Sequence, residues 1–339
     1  MMKSPRVSQR EGGYVLIFVI ASLALVAFVA TRFALRVDAL RQQATSMQNL
    51  AQGRLLVESA KARALFWLST RPFGLASSGF ADEQPLALDN RSYEMRNGAW
   101  IRVQDARGLL SLNVPQRERW LAALIGAGAS LDQASAMIDI LLDYTDTDSL
   151  KRLNGAEAPD YAAVGLAPPR NDWILSTDET ALMPVWATNP QLRQRMVSWT
   201  NVMRNDSFNP NTAPLDLLRA LWPKVSADQW NLFDRLRRTA PFVDATAAIA
   251  ATGIPFPTDE SVHFHASNEL RVQLWAPGLP MAVEYTLSIL PTGAYAPWLI
   301  QEVRPSDRFA APDAHQAAAK FPDASKDLAR PAPSAPPSL

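Results

Sequence analysis

The chain has 339 residues, with 33 Lys plus Arg against 33 Asp plus Glu, and this formal net charge of zero does not recommend nucleic acid as a partner. It holds no cysteine, which excludes disulfides, thiol catalysis and thiolate metal sites. Its apolar share of 48% is enough to bury a core, and the length suggests about two domains.

The apolar run from Tyr14 to Ala30 is broken only by Ser22 and follows Lys3, Arg6, Arg10, Gly12 and Gly13. It is near the lower length limit for a membrane-spanning helix and has no polar face. A secretory signal keeps its small-residue cleavage site after the apolar core, whereas here the glycines come before it and Thr31, Arg32 and Phe33 offer a poor site. A cut after Gly13 leaves the apolar helix on the mature protein, with Tyr14 first. This leader resembles that of type IV pilins and of the pseudopilins of type II secretion. The resemblance implies a prepilin peptidase that cuts between Gly13 and Tyr14 and methylates the Tyr14 amine. In that group the fifth mature residue is usually a glutamate, which pairs with the amine of the subunit assembled just before. Phe18 stands there instead and implies a subunit with no predecessor.

Beyond the run, Phe33, Val37, Leu40, Ala44, Met47 and Ala51 alternate steps of four and three, the spacing of a helix that packs along another element. Leu55, Leu56, Ala60, Ala64 and Trp67 carry the pattern on past Gly53, a weak point of roughly 1 kcal/mol against alanine. One helix over residues 14–68 is on the order of 80 Å long, its first part in the membrane and its second on a globular domain. A membrane anchor followed by an ordinary amphipathic helix fits the same pattern. Val37, Leu40 and Met47 on this helix are the candidate partner contacts.

Pro72 and the glycines at 74 and 79 end the helix, and Asn97 with Gly98 then marks a hairpin in which both turn positions tolerate positive φ. Tyr93, Met95, Ile101 and Val103 fall on its apolar side. From Gln116 to about Ala251 the period is helical, with Ser130, Ser176 and Ser226 each opening a capping box. Strands return with Leu270, Val272 and Leu274, then Val283, Tyr285, Leu287 and Ile289, then residues 298–303. Strands on both sides of a helical block predict an α+β fold, in which one antiparallel sheet is interrupted by an inserted helical domain and covered by the long N-terminal helix. From about Ala310 the chain is rich in Ala and Pro and is expected to be disordered.

Three blocks occur in order: Asp105, Gly108, Leu112 and Asn113; then Asp143, Asp146 and Asp148 with Asn154, Gly155, Ala156 and Glu157; then Asn209, Asn211, Thr212, Ala213 and Pro214. Together with the leader they resemble the minor pseudopilin family called general secretion pathway protein K, over roughly residues 12–304. The absence of the glutamate at Phe18 is usual there. The resemblance implies a pseudopilin fold with a large inserted all-α domain, and places the chain at the tip of the type II secretion pseudopilus, where it starts assembly and supports export of folded proteins. It implies minor pseudopilins of the I and J types, the prepilin peptidase and the inner-membrane assembly platform as partners. It also implies a single pass through the inner membrane, with the globular part in the periplasm. The expected segments are a leader at 1–13, the long helix at 14–68, the α/β domain at 69–113 and 252–309, the inserted helical domain at 114–251, and the tail at 310–339. A minor pilin of a type IV pilus or DNA-uptake filament is the alternative.

Asp143, Asp146, Asp148 and Glu157 bring hard oxygen ligands together and are candidates for a structural Ca²⁺ site, and no other cofactor is expected. The spacing is not an EF-hand, because Asp148 stands where the loop glycine is needed. Some members of the family bind calcium in this domain. A solvated turn whose carboxylates bond backbone amides is the competing reading. Catalysis is not expected: His263 and His265 lack a third ligand nearby, and no zinc, nucleophile-elbow or phosphate-loop motif is present. The block around Asn209 resembles the opening of a helix-hairpin-helix DNA module but lacks its glycine hairpin, and Thr212 as an N-cap with Pro214 in the first turn explains it structurally. Trp173, Trp186 and Trp199 read as core residues.

Overall fold

The computed structural model describes residues 12–307 and 319–322. Helix α1 (Gly12–Thr70) has 59 residues. Among the described residues it is the one helix long and apolar enough to cross a membrane, with a mean hydropathy of 2.6 over its apolar window and none of that window buried. The leader expected at 1–13 lies outside the described residues, apart from the backbone of Gly12 and Gly13.

The described residues up to Leu55, together with Pro277–Leu279, form one compact unit and the remainder forms a second. In the first unit Gly53 has a purpose that helix propensity hides. A Cβ there would lie 2.9 Å from both the Pro277 carbonyl oxygen and Leu279 Cγ, so the missing side chain is what lets the turn approach the helix. Gly278 answers from the turn with φ +93, and a Cβ on it would collide with the Asn49 carbonyl.

The second unit is built on a sheet. After a two-strand ribbon, β1 (Ser77–Ser78) and β2 (Leu86–Ala87), come β3 (Asp89–Glu94) and β4 (Trp100–Asp105). The predicted hairpin forms, with Tyr93 opposite Ile101. Only Gly98 of the turn pair takes positive φ, at +80, and the Gly98 amide donates to the Met95 carbonyl at 2.9 Å. The loop is therefore the longer type with a single left-handed glycine.

The chain leaves the sheet at Asp105 and returns at β7 (Glu269–Trp275), which pairs antiparallel with β4 from Trp100 opposite Trp275 to Asp105 opposite Leu270. Two paired neighbours thus bracket the whole excursion, and the helical block is an insertion between them. It holds β5 (Leu110–Ser111), α2 (Arg117–Gly126), α3 (Leu131–Thr145), α4 (Ala158–Ala163), a 3₁₀ turn at Thr177–Leu182, α5 (Pro184–Ala187), α6 (Pro190–Ser198), β6 (Thr200–Asn201), α7 (Leu215–Leu221), α8 (Ala227–Thr239) and α9 (Ala245–Thr252). The excursion is wider than the expected 114–251. Leu110 and Leu112 at its start, and Ile254, Phe256 and Phe264 at its end, belong to the same core as Trp120, Trp186 and Phe233. Full capping boxes open the 3₁₀ turn and α8 at Ser176 and Ser226, whereas Ser130 caps α3 without the expected return bond from Gln133; each serine hydroxyl accepts from a backbone amide inside its helix. Ser176 opens a 3₁₀ turn instead of a longer helix because Pro184 begins α5 just beyond it.

Strands β8 (Ala282–Ile289) and β9 (Trp298–Ser306) complete the antiparallel run, giving the order β10-β3-β4-β7-β8-β9 with β10 (Ala319–Lys320) parallel to β3. Residues 319–322 fall in the tail expected to be disordered, so at that point the expectation is corrected: a backbone edge, which composition does not report, holds them. The apolar face of Tyr93, Ile101, Val103, Val272, Leu274 and Tyr285 lies under the later turns of α1. There Val57, Ala60, Ala64, Trp67 and Leu68 are buried and the Lys61 ammonium sits 5.5 Å from the Tyr285 ring. The polar face meets the helical block. Arg304 bonds Glu284 of β8 and, at 2.7 Å, Asp178 of the 3₁₀ turn, while Arg271 donates to the carbonyls of Ser198 and Thr200.

Candidate functional site

The three sequence blocks meet the structure in two places. The first and third form the joint between sheet and insertion. Asp105, fully buried where the chain leaves the sheet, accepts from the Ser267 amide and hydroxyl at 3.0 and 2.7 Å, from the Thr212 hydroxyl at 2.8 Å and from the Asn209 amide group at 3.2 Å. Ser267 lies where the chain returns, so one carboxylate closes the neck of the insertion. Gly108 is required beside it, since a Cβ there would lie 2.6 Å from Gln104 Nε2 and 2.8 Å from the Thr212 carbonyl. Asn113 clamps residues 174 and 202 through Nδ2 to the carbonyls of Ile174 and Val202 at 2.9 and 2.6 Å. Asn211 does the same for the carbonyls of Phe242 and Phe264 at 2.8 and 3.0 Å. Thr212 is not the helix cap expected of it. Pro214 occupies the N-cap of α7, and the threonine hydroxyl is committed to Asp105.

The second block is the candidate metal centre. The last two turns of α3 and its C-cap deliver Asp139, Asp143 and Asp146, and the chain folds back so that residues 152–157 lie against them. Asp139 anchors this return, accepting from Arg117 at 2.6 Å and from the Asn154 amide group at 3.1 Å. Burial works against its charge, but those donors outweigh it and hold the carboxyl below its usual range. Asp143 is fully buried and committed: Oδ1 takes Arg152 Nη1 at 2.5 Å, and Oδ2 takes the Ala156 amide at 3.0 Å and the Arg152 amide at 3.2 Å. Gly155 is needed because any Cβ would collide with that Oδ2. Asp160 accepts from the Glu157 amide at 2.9 Å and caps the start of α4.

Asp146, Asp148 and Glu157 remain, and each offers an oxygen within 4.8 Å of the others. Two oxygens bound to one calcium ion at about 2.4 Å can be no more than about 4.8 Å apart, and all three pairs here keep within that limit. Two of them, Asp146 Oδ1 and Glu157 Oε1, are buried without a hydrogen-bond partner. Glu157 is 6% exposed, and its carboxyl is pushed above its ordinary value by burial first, then by the charges of Asp143, Asp146 and Asp148. Unpartnered buried oxygens and clustered negative charge that Arg152 offsets only in part are what a hard divalent cation would satisfy, so the residues fit Ca²⁺ with three of the four expected ligands. Asp143 does not join them, because the Arg152 guanidinium takes the position between it and Asp146, bonding Asp146 Oδ2 at 2.5 Å as well. Sequence spacing could name the carboxylates but not the arginine that separates them.

On α1, Tyr14 and Phe18 are 84% and 74% exposed, Leu40 and Met47 are 58% and 60% exposed, and Val37 is half-covered. His263 and His265 are both exposed. Trp186 and Trp199 are buried, whereas Trp173 is partly exposed beneath the Arg204 guanidinium at 4.5 Å.

No protein-family model and no curated protein matches the chain. Among solved structures it is similar to a chain in the crystal structure of the GspK-GspI-GspJ complex from the enterotoxigenic Escherichia coli type 2 secretion system, with a TM-score of 0.52 and 16% sequence identity. The match covers 79% of this chain and 99% of that one. At such low identity the likeness is one of fold, and this chain shares the α+β architecture of that component, a helix-covered antiparallel sheet together with many helices.

Proposed function

We propose that the chain is a minor pseudopilin of the K type, which sits at the tip of a type II secretion pseudopilus, starts its assembly and supports export of folded proteins across the outer membrane. The observation that carries this reading is the insertion of a helical block between two paired strands of a sheet headed by an exposed apolar helix, in a chain that covers 99% of a component of the GspK-GspI-GspJ complex. It acts by assembly and catalyses nothing. Its partners are I-type and J-type minor pseudopilins, the prepilin peptidase and the inner-membrane assembly platform, with α1 held in the inner membrane before incorporation and the globular part in the periplasm. Phe18 fits a subunit with none ahead of it.

Calcium is proposed as a structural ion held by Asp146, Asp148 and Glu157, with Asp143 shaping the loop from behind. The decisive experiment is co-expression of the full-length chain with the I-type and J-type subunits and the peptidase. A ternary complex, in which the mature chain begins at N-methylated Tyr14 by mass spectrometry, is expected. A chain that leaves the membrane uncut and purifies alone overturns the reading.

A further inference from the structure

Residues 319–322 show how the β3 edge can be read by a peptide. Ala319 lies opposite Tyr93 and Lys320 opposite Glu94 in parallel register, and the Phe321 amide donates to the Glu94 carbonyl at 2.9 Å. Lys320 pairs with the Glu94 carboxylate. The Phe321 ring meets Trp67 edge-on with centroids 6.0 Å apart and Tyr93 at 6.5 Å, and Pro322 is buried. Where a sheet edge recognises an extended peptide, main-chain bonds supply affinity and side-chain pockets supply specificity, and both are present here.

The corner is also held by contacts that do not involve its occupant. Trp67 is fixed by Nε1 donating to the Ser78 carbonyl at 3.2 Å and by the Arg71 guanidinium 4.3 Å from its ring, and Arg71 is in turn bridged to Glu83 at 3.2 Å. The Tyr93 hydroxyl accepts from the Ala87 amide at 2.9 Å, and β3 is paired along its other side with β4. The occupant brings less: two register pairs, one further backbone bond, one ring, a buried proline and a lysine whose side chain is 74% exposed. In sequence, residues 307–318 separate it from β9. A weakly held segment on a preformed corner is displaceable.

We propose that the β3 edge with Trp67, Tyr93 and Glu94 is a docking site for an extended partner segment that adds a parallel strand and carries a basic residue followed by an aromatic residue and proline. Residues 319–322 fill it in the isolated chain as a self-ligand, and the partner segment takes their place. The proposal does not depend on the secretion reading.

The test uses the full-length chain in detergent micelles and a fluorescent peptide with the sequence of residues 318–323, followed by anisotropy. Phe321→Asp in the protein removes the self-ligand, and binding at least tenfold tighter than to the wild type is expected. Phe321→Ala in the peptide, or Glu94→Lys added to the protein, should weaken that binding at least fivefold. In a second measurement a protease site placed within residues 308–318 severs the tether of an otherwise unaltered chain, and the gain should match that of the variant. Equal binding before and after cutting, or no binding to either freed protein while its melting transition is retained, overturns the proposal.

Discussion

Asp143 and Asp146 leave the same helical turn, yet only one has an oxygen to spare. Asp143 is spent on Arg152 and two backbone amides, so its removal is a folding defect: Asp143→Asn should lower stability by roughly 1–3 kcal/mol, with or without calcium. Asp146→Asn combined with Glu157→Gln should act in the opposite manner. It relieves buried charge in the metal-free protein and abolishes the response to calcium. If the proposed ion binds, the wild type should gain about 2.7 kcal/mol at a hundredfold excess over Kd, read as a rise in melting temperature. No rise at millimolar calcium would remove the metal from the account. The carboxylates were legible in the sequence because their spacing is local. The pairing that disqualifies Asp143 was not, because it depends on Arg152 returning across the loop.

Among elements, Gly53 and strand β8 make contrary points about what periodicity reports. By helix propensity Gly53→Ala should stabilise α1 by about 1 kcal/mol. The close approach of Pro277 and Leu279 reverses the sign, and a fall in melting temperature is expected. In β8 the alternation of Val283, Tyr285 and Leu287 with polar residues identifies the strand but suggests a wet face, whereas Glu284 is 1% exposed. Burial alone would raise the Glu284 carboxyl, but Arg271 and Arg304 outweigh it and hold it below its usual range. Its stabilisation is therefore full above the ordinary glutamate range and is lost as pH falls through the lowered folded value. Glu284→Gln should lower stability at neutral pH by about 3–5 kcal/mol and flatten that acid limb, as thermal melts across pH would show. A polar alternation cannot tell solvent from a second layer of protein. Here the second layer is supplied by Asp178 and the end of α6, which are distant in sequence.

For the molecule as a whole, the order of its parts was readable: apolar helix, hairpin, helical block, returning strands. Each carries its own period, and the α+β fold follows from their sequence. The neck of the insertion was placed too narrowly, since Leu110 and Phe264 belong to a core that spacing cannot assign. Strand β10 was missed because two residues, Ala319 and Lys320, have no period at all. At this scale the expected behaviour is assembly. Leu40→Glu or Met47→Glu, each on the exposed surface of α1, should abolish co-purification with I-type and J-type subunits while leaving the melting of the globular part unchanged. Val37→Glu should do the same, and an intact complex from all three would move the interface off this helix.

The neck at Asp105 changes how a genetic screen should be interpreted. Asp105, Gly108, Asn113, Asn209 and Thr212 make up much of the signature that marks the chain, and they hold the inserted block to its sheet. On the proposed function, alleles at these positions would score as loss of export and invite assignment to a contact with cargo or a neighbouring subunit. They should instead behave as temperature-sensitive lesions suppressible by slower growth, whereas substitutions on α1 should fail at every temperature.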